Sequence, residues 1–274
     1  MKVALVQLTT GRDPARSVDV ALEQIRLAAA TGAQLISTPE TTHMMEMDRK
    51  LVLSKAYAEE NDPGLKAFQM IAKELQVWLH IGSLIIKVAD DKLANRSFLI
   101  GDDGSIKARY DKLHLFDVDL GSGEIYRESA LYRAGKDAIV AETPWGEMGL
   151  SICYDLRFPE LYRHYGEAGA TLIMVPAAFT VPTGKAHWHT LLKARAIETG
   201  AYILAAAQTG LHETGRETFG HSLVIDPWGQ IIADAGAEAG YITADLSLEK
   251  VAETRKKMPS LQHSRPFDMT VLQN

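Results

Sequence analysis

Three side chains that could act as nucleophile, base and cation each follow a stretch typical of a strand. Cys153 ends the apolar run 148–152, Glu40 comes shortly after a β-prone segment, and Lys112 follows another. A thiol requires a lowered pKa or a neighbouring base before it attacks a carbon centre. Catalytic sites of open α/β sheets assemble outside the strand ends. We therefore treat these three residues as candidates for one site.

Each residue also has an ordinary interpretation. A single buried cysteine is usually a small inert hydrophobe, and strand-end glutamates and lysines are usually solvated. A cysteine–histidine dyad is a further alternative, with candidate partners His114, His187, His189 and His221. No Cys-Gly-Ser-Cys-Trp type segment surrounds the cysteine, so the pattern favours the glutamate and the lysine. The histidines show no His-Glu-x-x-His motif, so no metal is implied.

Composition excludes several classes of protein. With 29 basic and 35 acidic side chains the formal charge is −6, which disfavours binding to nucleic acid. The sequence contains no apolar stretch long enough to span a membrane, and its N-terminal apolar run is too short for a signal peptide. One cysteine allows neither an internal disulfide nor a cysteine-based zinc site. We expect a soluble, cytoplasmic protein that forms a single domain over residues 1–274.

The hydrophobic pattern alternates between strands and helices in both halves of the chain. Predicted strands cover 2–8, 33–37, 77–86, 95–100, 106–110, 147–152, 171–175, 201–207, 222–225 and 230–233. Predicted helices cover 15–31, 63–76, 159–168, 185–200 and 247–257, and 211–218 is predicted as a charged loop. This alternation predicts an α/β fold with mixed sheets, without the eight repeats of a TIM barrel.

Several separated motifs resemble the nitrilase superfamily of carbon-nitrogen hydrolases, and the resemblance covers essentially the whole chain. They are Lys112-Leu113-His114-Leu115-Phe116-Asp117, Cys153-Tyr154-Asp155-Leu156-Arg157-Phe158-Pro159-Glu160, Ala194-Arg195-Ala196-Ile197-Glu198, Gly220-His221-Ser222 and Asp226-Pro227-Trp228-Gly229. The resemblance implies a four-layer α-β-β-α sandwich with two mixed sheets. It also implies a catalytic triad of Glu40, Lys112 and Cys153 that needs no cofactor.

The triad residues have complementary roles in hydrolysis of an amide. Glu40 would accept the proton of Cys153 as the sulfur adds to the carbonyl carbon, and would later protonate the leaving nitrogen. Lys112 and the backbone N–H of Tyr154 would stabilise the negative charge that develops on oxygen. The same carboxylate would then activate water against the thioester.

Two further residues are candidates for supporting roles. By resemblance, Glu128 matches a second glutamate that borders the site and orients Lys112 or the substrate; the alternative is a loop carboxylate in a surface ion pair. The guanidinium of Arg157 could bind a substrate carboxylate through two hydrogen bonds, or could belong to a subunit interface. Arg195, within a predicted helix, is interpreted as structural.

The motif 112–117 resembles the amidase branch that acts on small dicarboxylic acid amides. Within that branch, the segments 183–188, 195–199 and 205–210 resemble amidases of deaminated glutathione, and this resemblance implies hydrolysis of that keto-acid amide to 2-oxoglutarate and cysteinylglycine. The alternatives are an omega-amidase acting on 2-oxoglutaramate and another amidase or nitrile hydrolase of the superfamily. A catalytically silent binding protein would be expected to have a broken triad, whereas all three residues are present.

The superfamily resemblance also implies subunit pairing, as a homodimer or a larger homo-oligomer. The helix after Cys153 and the C-terminal segment containing Arg265-Pro266-Phe267 are the candidate interface elements. Residues 259–274 are difficult to place on one compact subunit, so we predict an oligomerisation arm there.

Overall fold

The computed structural model of the protein describes residues 1–121 and 125–272. Its strands are β1 (Lys2–Gln7), β2 (Leu35–Ser37), β3 (Trp78–Ala89), β4 (Lys92–Ile100), β5 (Ile106–Asp111), β6 (Asp117–Asp119), β7 (Ile125–Arg127), β8 (Ile139–Thr143), β9 (Gly146–Leu150), β10 (Leu172–Met174), β11 (Tyr202–Ala205), β12 (Thr209–Leu211), β13 (Glu217–Phe219), β14 (Leu223–Ile225), β15 (Ile231–Asp234) and β16 (Gly240–Asp245). Its α-helices are α1 (Pro14–Ala30), α2 (Arg49–Lys55), α3 (Pro63–Leu75), α4 (Pro159–Glu167), α5 (Val181–Thr183), α6 (His189–Thr199) and α7 (Glu249–Lys257).

Most strands belong to two six-stranded mixed sheets. The first has the order β16-β1-β2-β3-β4-β5 and the second the order β15-β14-β11-β10-β9-β8. Each sheet contains three adjacent parallel strands, β1-β2-β3 in the first and β9-β10-β11 in the second. The remaining neighbours are antiparallel. Both parallel sets therefore end at a carboxyl edge, the location that the sequence analysis assigned to the site.

The two sheets pack face to face between two layers of helices. Side chains of both sheets share one buried cluster, exemplified by Leu5 and Leu35 of the first sheet and Leu172 of the second. That cluster continues onto the apolar faces of α4 and α6, while a second cluster joins the opposite face of the first sheet to α1 and α3. The predicted four-layer α-β-β-α sandwich is confirmed.

Local sequence signals explain where the main helices begin. The carboxylate of Asp13 accepts hydrogen bonds from the backbone N–H groups of Ala15 and Arg16, and Pro14 occupies the first turn, where a missing N–H costs nothing. Asp62 caps α3 in the same way, with a proline following it. Such signals place helix starts within a residue or two of their predicted positions.

The structure also corrects the predicted elements in several places. The strands and helices predicted from periodicity lie within about three residues of the observed ones, except that the helix predicted over 185–200 begins earlier with α5 and a π-helix, Gly184–Trp188. The predicted loop 211–218 is wrong in part, because its ends belong to the β12–β13 hairpin. The prediction omitted α2, β6, β7, β8 and β16. The strands β8 and β16 lie at sheet edges, and β6 and β7 form a separate two-stranded sheet, so exposed side chains weaken the apolar pattern of all four.

Among the described residues, no helix has both the length and the apolar character that a membrane span requires.

The C-terminal segment lacks regular secondary structure. After a turn near 260–263, the chain runs to residue 272 without helix or strand, and the last two residues of the predicted arm lie outside the described residues. Phe267, Met269, Val271 and Leu272 are largely exposed along it.

Candidate active site

The structure brings Glu40, Lys112, Cys153 and Glu128 together in the interior. The ammonium of Lys112 lies 2.9 Å from Glu40 Oε1 and 2.9 Å from Glu128 Oε2. Glu40, Lys112 and Cys153 are all buried. Glu40 follows β2, Lys112 follows β5 and Cys153 follows β9, so strand ends from both sheets contribute to the cluster.

Cys153 lies in a tight turn between a strand and a helix. Its φ of 51° is in the left-handed region, which a residue with a Cβ adopts only where the surrounding structure holds it there. The Cys153 N–H donates to the carbonyl oxygen of Pro176 at 2.9 Å, which fixes the turn against the end of β10. A 3₁₀ turn, Cys153–Arg157, begins at the thiol and places Tyr154 where backbone N–H groups lack helical partners.

Asp155 holds this turn in place, a role that the sequence analysis missed. Its fully buried carboxylate accepts hydrogen bonds from the Ile152 N–H at 2.8 Å and the Tyr110 hydroxyl at 2.6 Å. It also accepts one from the backbone N–H of His114 at 3.0 Å. Because Tyr110 and His114 flank Lys112, the Asp155 carboxylate fixes the position of Lys112, at the end of β5, relative to the turn that begins at Cys153. The acidic residue two positions after the cysteine was the available signal.

Close backbone packing positions Glu40. A Cβ on Gly82 would lie 2.2 Å from the Thr38 carbonyl oxygen, so only glycine lets β3 approach the chain leading into Glu40. The Gln208 side-chain amide donates to the Glu40 carbonyl oxygen at 2.9 Å. The Ala178 N–H donates to Glu40 Oε2 at 3.0 Å, and the Lys112 ammonium donates to Oε1. The carboxylate is therefore fixed at both oxygens.

The charges of the cluster set its protonation state. Burial is the largest influence on Glu40 and opposes its ionisation, but the charge and hydrogen bond of Lys112, the hydrogen bond of Cys153 and the charge of Arg216 together outweigh it and lower the Glu40 pKa. Burial likewise opposes the charge of Lys112, yet the carboxylates of Glu128 and Glu40 raise its pKa well above the usual value. For Cys153, burial and then the negative charge of Glu40 raise the thiol pKa. The resting site thus pairs a neutral thiol with an ionised carboxylate.

The carboxylate of Glu128 contacts the buried ammonium of Lys112, and its side chain is largely removed from solvent. Besides Lys112, its Oε2 accepts a hydrogen bond from the Phe116 N–H at 2.7 Å. Asn95 on β4 donates through one side-chain nitrogen to Glu40 at 2.9 Å and to Glu128 at 3.2 Å. Asn95, which the sequence analysis missed, therefore links the two carboxylates through the same oxygens that accept from Lys112.

A cavity of about 350 Å³ opens next to the cluster, within the size range of small-molecule sites. Four arginines line it, of which Arg49 and Arg127 are exposed and Arg157 and Arg216 are partly buried. Arg157 lies over the rings of Tyr154 and Phe179, at 5.9 and 5.5 Å from the ring centres. Arg216, which the sequence analysis did not single out, lies 5.5 Å from the centre of the Tyr126 ring, and its Nη2 donates to the Ala178 carbonyl oxygen at 2.5 Å.

The other sequence candidates lie elsewhere. His114 forms a 2.7 Å hydrogen bond with Asp155 and stacks on Phe158, and His187 contacts the guanidinium of Arg157 at 3.3 Å. His189 and His221 both contact Asp234. Arg195 donates twice to the carbonyl oxygen of Leu156, so its interpretation as a structural residue agrees with its contacts.

The comparison with known families decides which enzymes share this arrangement. Residues 2–256 match the carbon-nitrogen hydrolase family. The chain belongs to the carbon-nitrogen hydrolase family. As a carbon-nitrogen hydrolase of the nitrilase superfamily it is an amidase, which confirms the family and enzyme class predicted from the motifs.

A curated relative covers nearly the whole hydrolase chain. The deaminated glutathione amidase of Synechocystis is 42% identical over 265 residues, which are 95% of this chain and 96% of the relative. Because the match covers nearly the whole of both chains, few large insertions separate the two sequences.

Solved structures of other carbon-nitrogen hydrolases agree with the architecture. The NitFhit protein of Caenorhabditis elegans has a TM-score of 0.91 and 35% identity, covering 96% of this chain and 65% of that chain. An amidase from Nesterenkonia has a TM-score of 0.80 and 27% identity, covering 94% of this chain and 98% of its own. In that amidase structure, acrylamide has added to the active-site cysteine.

Proposed function

We propose that the protein hydrolyses the amide bond of a small keto-acid amide, with deaminated glutathione as preferred substrate, through a thioester on Cys153. The observation that carries this proposal is the burial of Cys153, Glu40 and Lys112 together in the lining of one cavity, with the ammonium 2.9 Å from Glu40. The lowered pKa of Glu40 and the raised pKa of the thiol agree with a carboxylate base beside a neutral thiol. A carboxylate in that state can accept the thiol proton as the sulfur attacks.

In the first half-reaction, the sulfur of Cys153 bonds to the amide carbon while its proton moves to Glu40. The electron pair of the carbonyl moves to oxygen, where the Lys112 ammonium and the Tyr154 N–H stabilise it. Each such donor contributes about 2.7 to 4 kcal/mol to the transition state in comparable enzymes. The tetrahedral intermediate then collapses, the C–N bond breaks, and the proton on Glu40 passes to the leaving nitrogen.

In the second half-reaction, water attacks the thioester carbon and transfers a proton to Glu40. Collapse of this intermediate breaks the C–S bond, and the sulfur recovers the proton as the carboxylic acid leaves. Glu40 therefore serves as base and acid in both halves, which requires its carboxylate to be ionised before each attack. Glu128 keeps Lys112 oriented, because it accepts from the same ammonium at 2.9 Å.

Two lines of support favour a substrate with two carboxylates. The Synechocystis relative bears the name deaminated glutathione amidase. Deaminated glutathione carries one carboxylate on its keto-acid part and one on the glycine of its leaving group. Of the four arginines that line the cavity, Arg157 and Arg216 are the two that are partly buried over aromatic rings. Arg216 contributes to the lowered pKa of Glu40, the group that protonates the leaving nitrogen. We therefore assign Arg216 to the leaving-group carboxylate and Arg157 to the keto-acid carboxylate.

A competition between three substrates tests the proposal. Purified protein is assayed with deaminated glutathione, 2-oxoglutaramate and a simple nitrile, and kcat/KM is determined for each. We expect deaminated glutathione to be preferred. A large preference for 2-oxoglutaramate would indicate an omega-amidase, and a preference for the nitrile would exclude the assigned reaction.

We also propose that the protein forms a homo-oligomer through its C-terminal arm. Phe267, Met269, Val271 and Leu272 expose large apolar side chains along a segment without helix or strand. Apolar residues in such a row are typical of a segment that packs on a partner. Light scattering at micromolar concentration should give at least a dimer for the full chain and a smaller species after removal of residues 264–274; a monomeric full chain would contradict the proposal.

A further inference from the structure

Two imidazoles and a carboxylate converge outside the cavity, on three separate elements. His189 begins α6, His221 lies between β13 and β14, and Asp234 ends β15. His189 Nε2 lies 3.3 Å from Asp234 Oδ2, and His221 Nδ1 lies 2.9 Å from Asp234 Oδ1. One ligand atom from each of the three residues lies within 4.8 Å of the other two. The side chains are about one-third exposed, so an ion from solvent can reach them.

The backbone of His221 is held in one orientation. Its φ of 56° lies in the left-handed region. Its N–H donates to the Gly236 carbonyl oxygen at 2.7 Å, and its carbonyl oxygen accepts from the Trp188 indole at 2.8 Å. Both backbone groups of the histidine are therefore fixed by separate elements.

Neighbouring contacts orient the side chains. The ring of Phe219 stacks on His221 with the ring centres 4.5 Å apart and contacts His189 edge-on at 6.0 Å. The Gly236 N–H donates to Asp234 Oδ1 at 2.8 Å, which fixes the carboxylate. Such supporting contacts are what hold metal ligands in position in known sites.

We propose that His189, His221 and Asp234 form a Zn²⁺ site. Imidazole nitrogen and carboxylate oxygen are ordinary zinc ligands, with bonds of about 2.0 to 2.2 Å. A tetrahedral site with such bonds separates its ligand atoms by about 3.4 Å, close to the 3.3 Å between His189 and Asp234. Each imidazole keeps one proton on its other ring nitrogen when it binds zinc, and solvent supplies the fourth ligand.

Histidine spacing within any one element of the sequence implied no metal. Here the ligands come from a helix start, a loop and a strand end, so only the folded chain brings them together. Zinc at this position would link those three elements, and its ligand His189 directly follows the π-helix Gly184–Trp188 in the chain. Gly184 contacts Phe219 so closely that a Cβ there would lie 2.2 Å from the ring, and His187 of the same helix contacts Arg157 in the cavity.

Isothermal titration of the full chain with ZnCl₂ tests the site. The chain is first treated with chelator and dialysed, and it carries Cys153→Ala so that the active-site thiol cannot bind zinc. We expect one zinc ion per chain and a raised Tm. Asp234→Asn and His189→Gln should each weaken binding at least tenfold and abolish the rise in Tm, whereas the control His263→Gln, in the exposed C-terminal segment, should leave both unchanged.

Substitution with Co²⁺ gives a readout that does not depend on stability. Visible absorption typical of a four- or five-coordinate ion should develop with one equivalent and be lost in His221→Gln. Circular dichroism establishes that each variant is folded. The proposal would be overturned if the variants of His189, His221 and Asp234 bound zinc as tightly as the control. It would also be overturned if the parent chain bound no zinc at micromolar concentration.

Discussion

The floor and the rim of the cavity hold their charged groups in different ways. At the floor, the side chains of Lys112, Glu40 and Glu128 are at most 13% exposed, and the ammonium contacts both carboxylates within 3.2 Å. At the rim, the guanidinium groups of Arg157 and Arg216 are only partly buried, over the faces of aromatic rings.

This difference separates the chemistry from the choice of substrate. Charges removed from water require close partners, so a change at the floor leaves another buried charge uncompensated. The guanidinium groups at the rim are only partly buried and can bind a carboxylate, and the buried carboxylates keep Lys112 as their close partner when one of these arginines is replaced. We therefore expect changes at the floor to affect every substrate equally and changes at the rim to affect one substrate more than another.

The largest expected effect is that of Cys153→Ala. Without the thiol no thioester can form, so turnover of every substrate should fall to the level of the blank reaction. Alanine keeps the Cβ, and with it the backbone conformation at φ 51°, so the far-ultraviolet circular dichroism and Tm should match those of the wild type. Appreciable hydrolysis by this variant would contradict the proposed mechanism.

Glu40→Gln should reduce kcat/KM for all substrates by about a hundredfold to ten-thousandfold, the range for loss of a general acid–base group. The pH profile provides a second test. Lys112 holds the Glu40 pKa below its ordinary value of 4.5, so the base stays ionised as pH falls through the neutral range. The wild-type kcat/KM should therefore show no acidic decline near pH 6 to 7. A decline there would indicate a histidine base and favour the cysteine–histidine alternative.

Lys112→Met should affect both activity and stability. Loss of the oxyanion donor is expected to lower kcat/KM by about a hundredfold to a thousandfold. Removing the cation also leaves two buried carboxylates facing each other, which should lower the free energy of unfolding by about 3 to 5 kcal/mol.

Adding Glu128→Gln to Lys112→Met removes the charge of one of the two buried carboxylates. The double variant should recover part of the lost stability in urea unfolding, without recovering activity. Unchanged stability in the single variant would mean that the cluster is not held by charge pairing.

Periodicity predicted the strands and helices, and strand-end positions suggested one site for Glu40, Lys112 and Cys153, because both are local signals. The four layers came from the resemblance to the nitrilase superfamily. The sequence did not predict Asn95, Asp155 or Arg216. Their roles depend on contacts between distant segments: the Asp155 carboxylate accepts from Tyr110, 45 residues away, and Arg216 donates to Ala178, 38 residues away. No spacing within one element encodes such contacts. The single domain over 1–274 and the C-terminal arm remain predictions.

The smallest and most selective effect is expected at the rim. Arg216→Met should raise KM for deaminated glutathione by about tenfold to a hundredfold, the value of one charged hydrogen-bonding group. It should leave KM for 2-oxoglutaramate nearly unchanged, because that substrate releases ammonia and has no carboxylate in its leaving group. Steady-state kinetics with both substrates give the comparison.

Arg157→Met is the matched control, because it removes the same functional group from another position in the cavity lining. If Arg157 binds the keto-acid carboxylate, this variant should raise KM for both substrates by similar factors, since both contain that part. Reversed selectivity of the two variants would exchange the two assignments. Equal effects of both variants on both substrates would contradict the division between floor and rim, because the arginines would then support the common chemistry and not the leaving group.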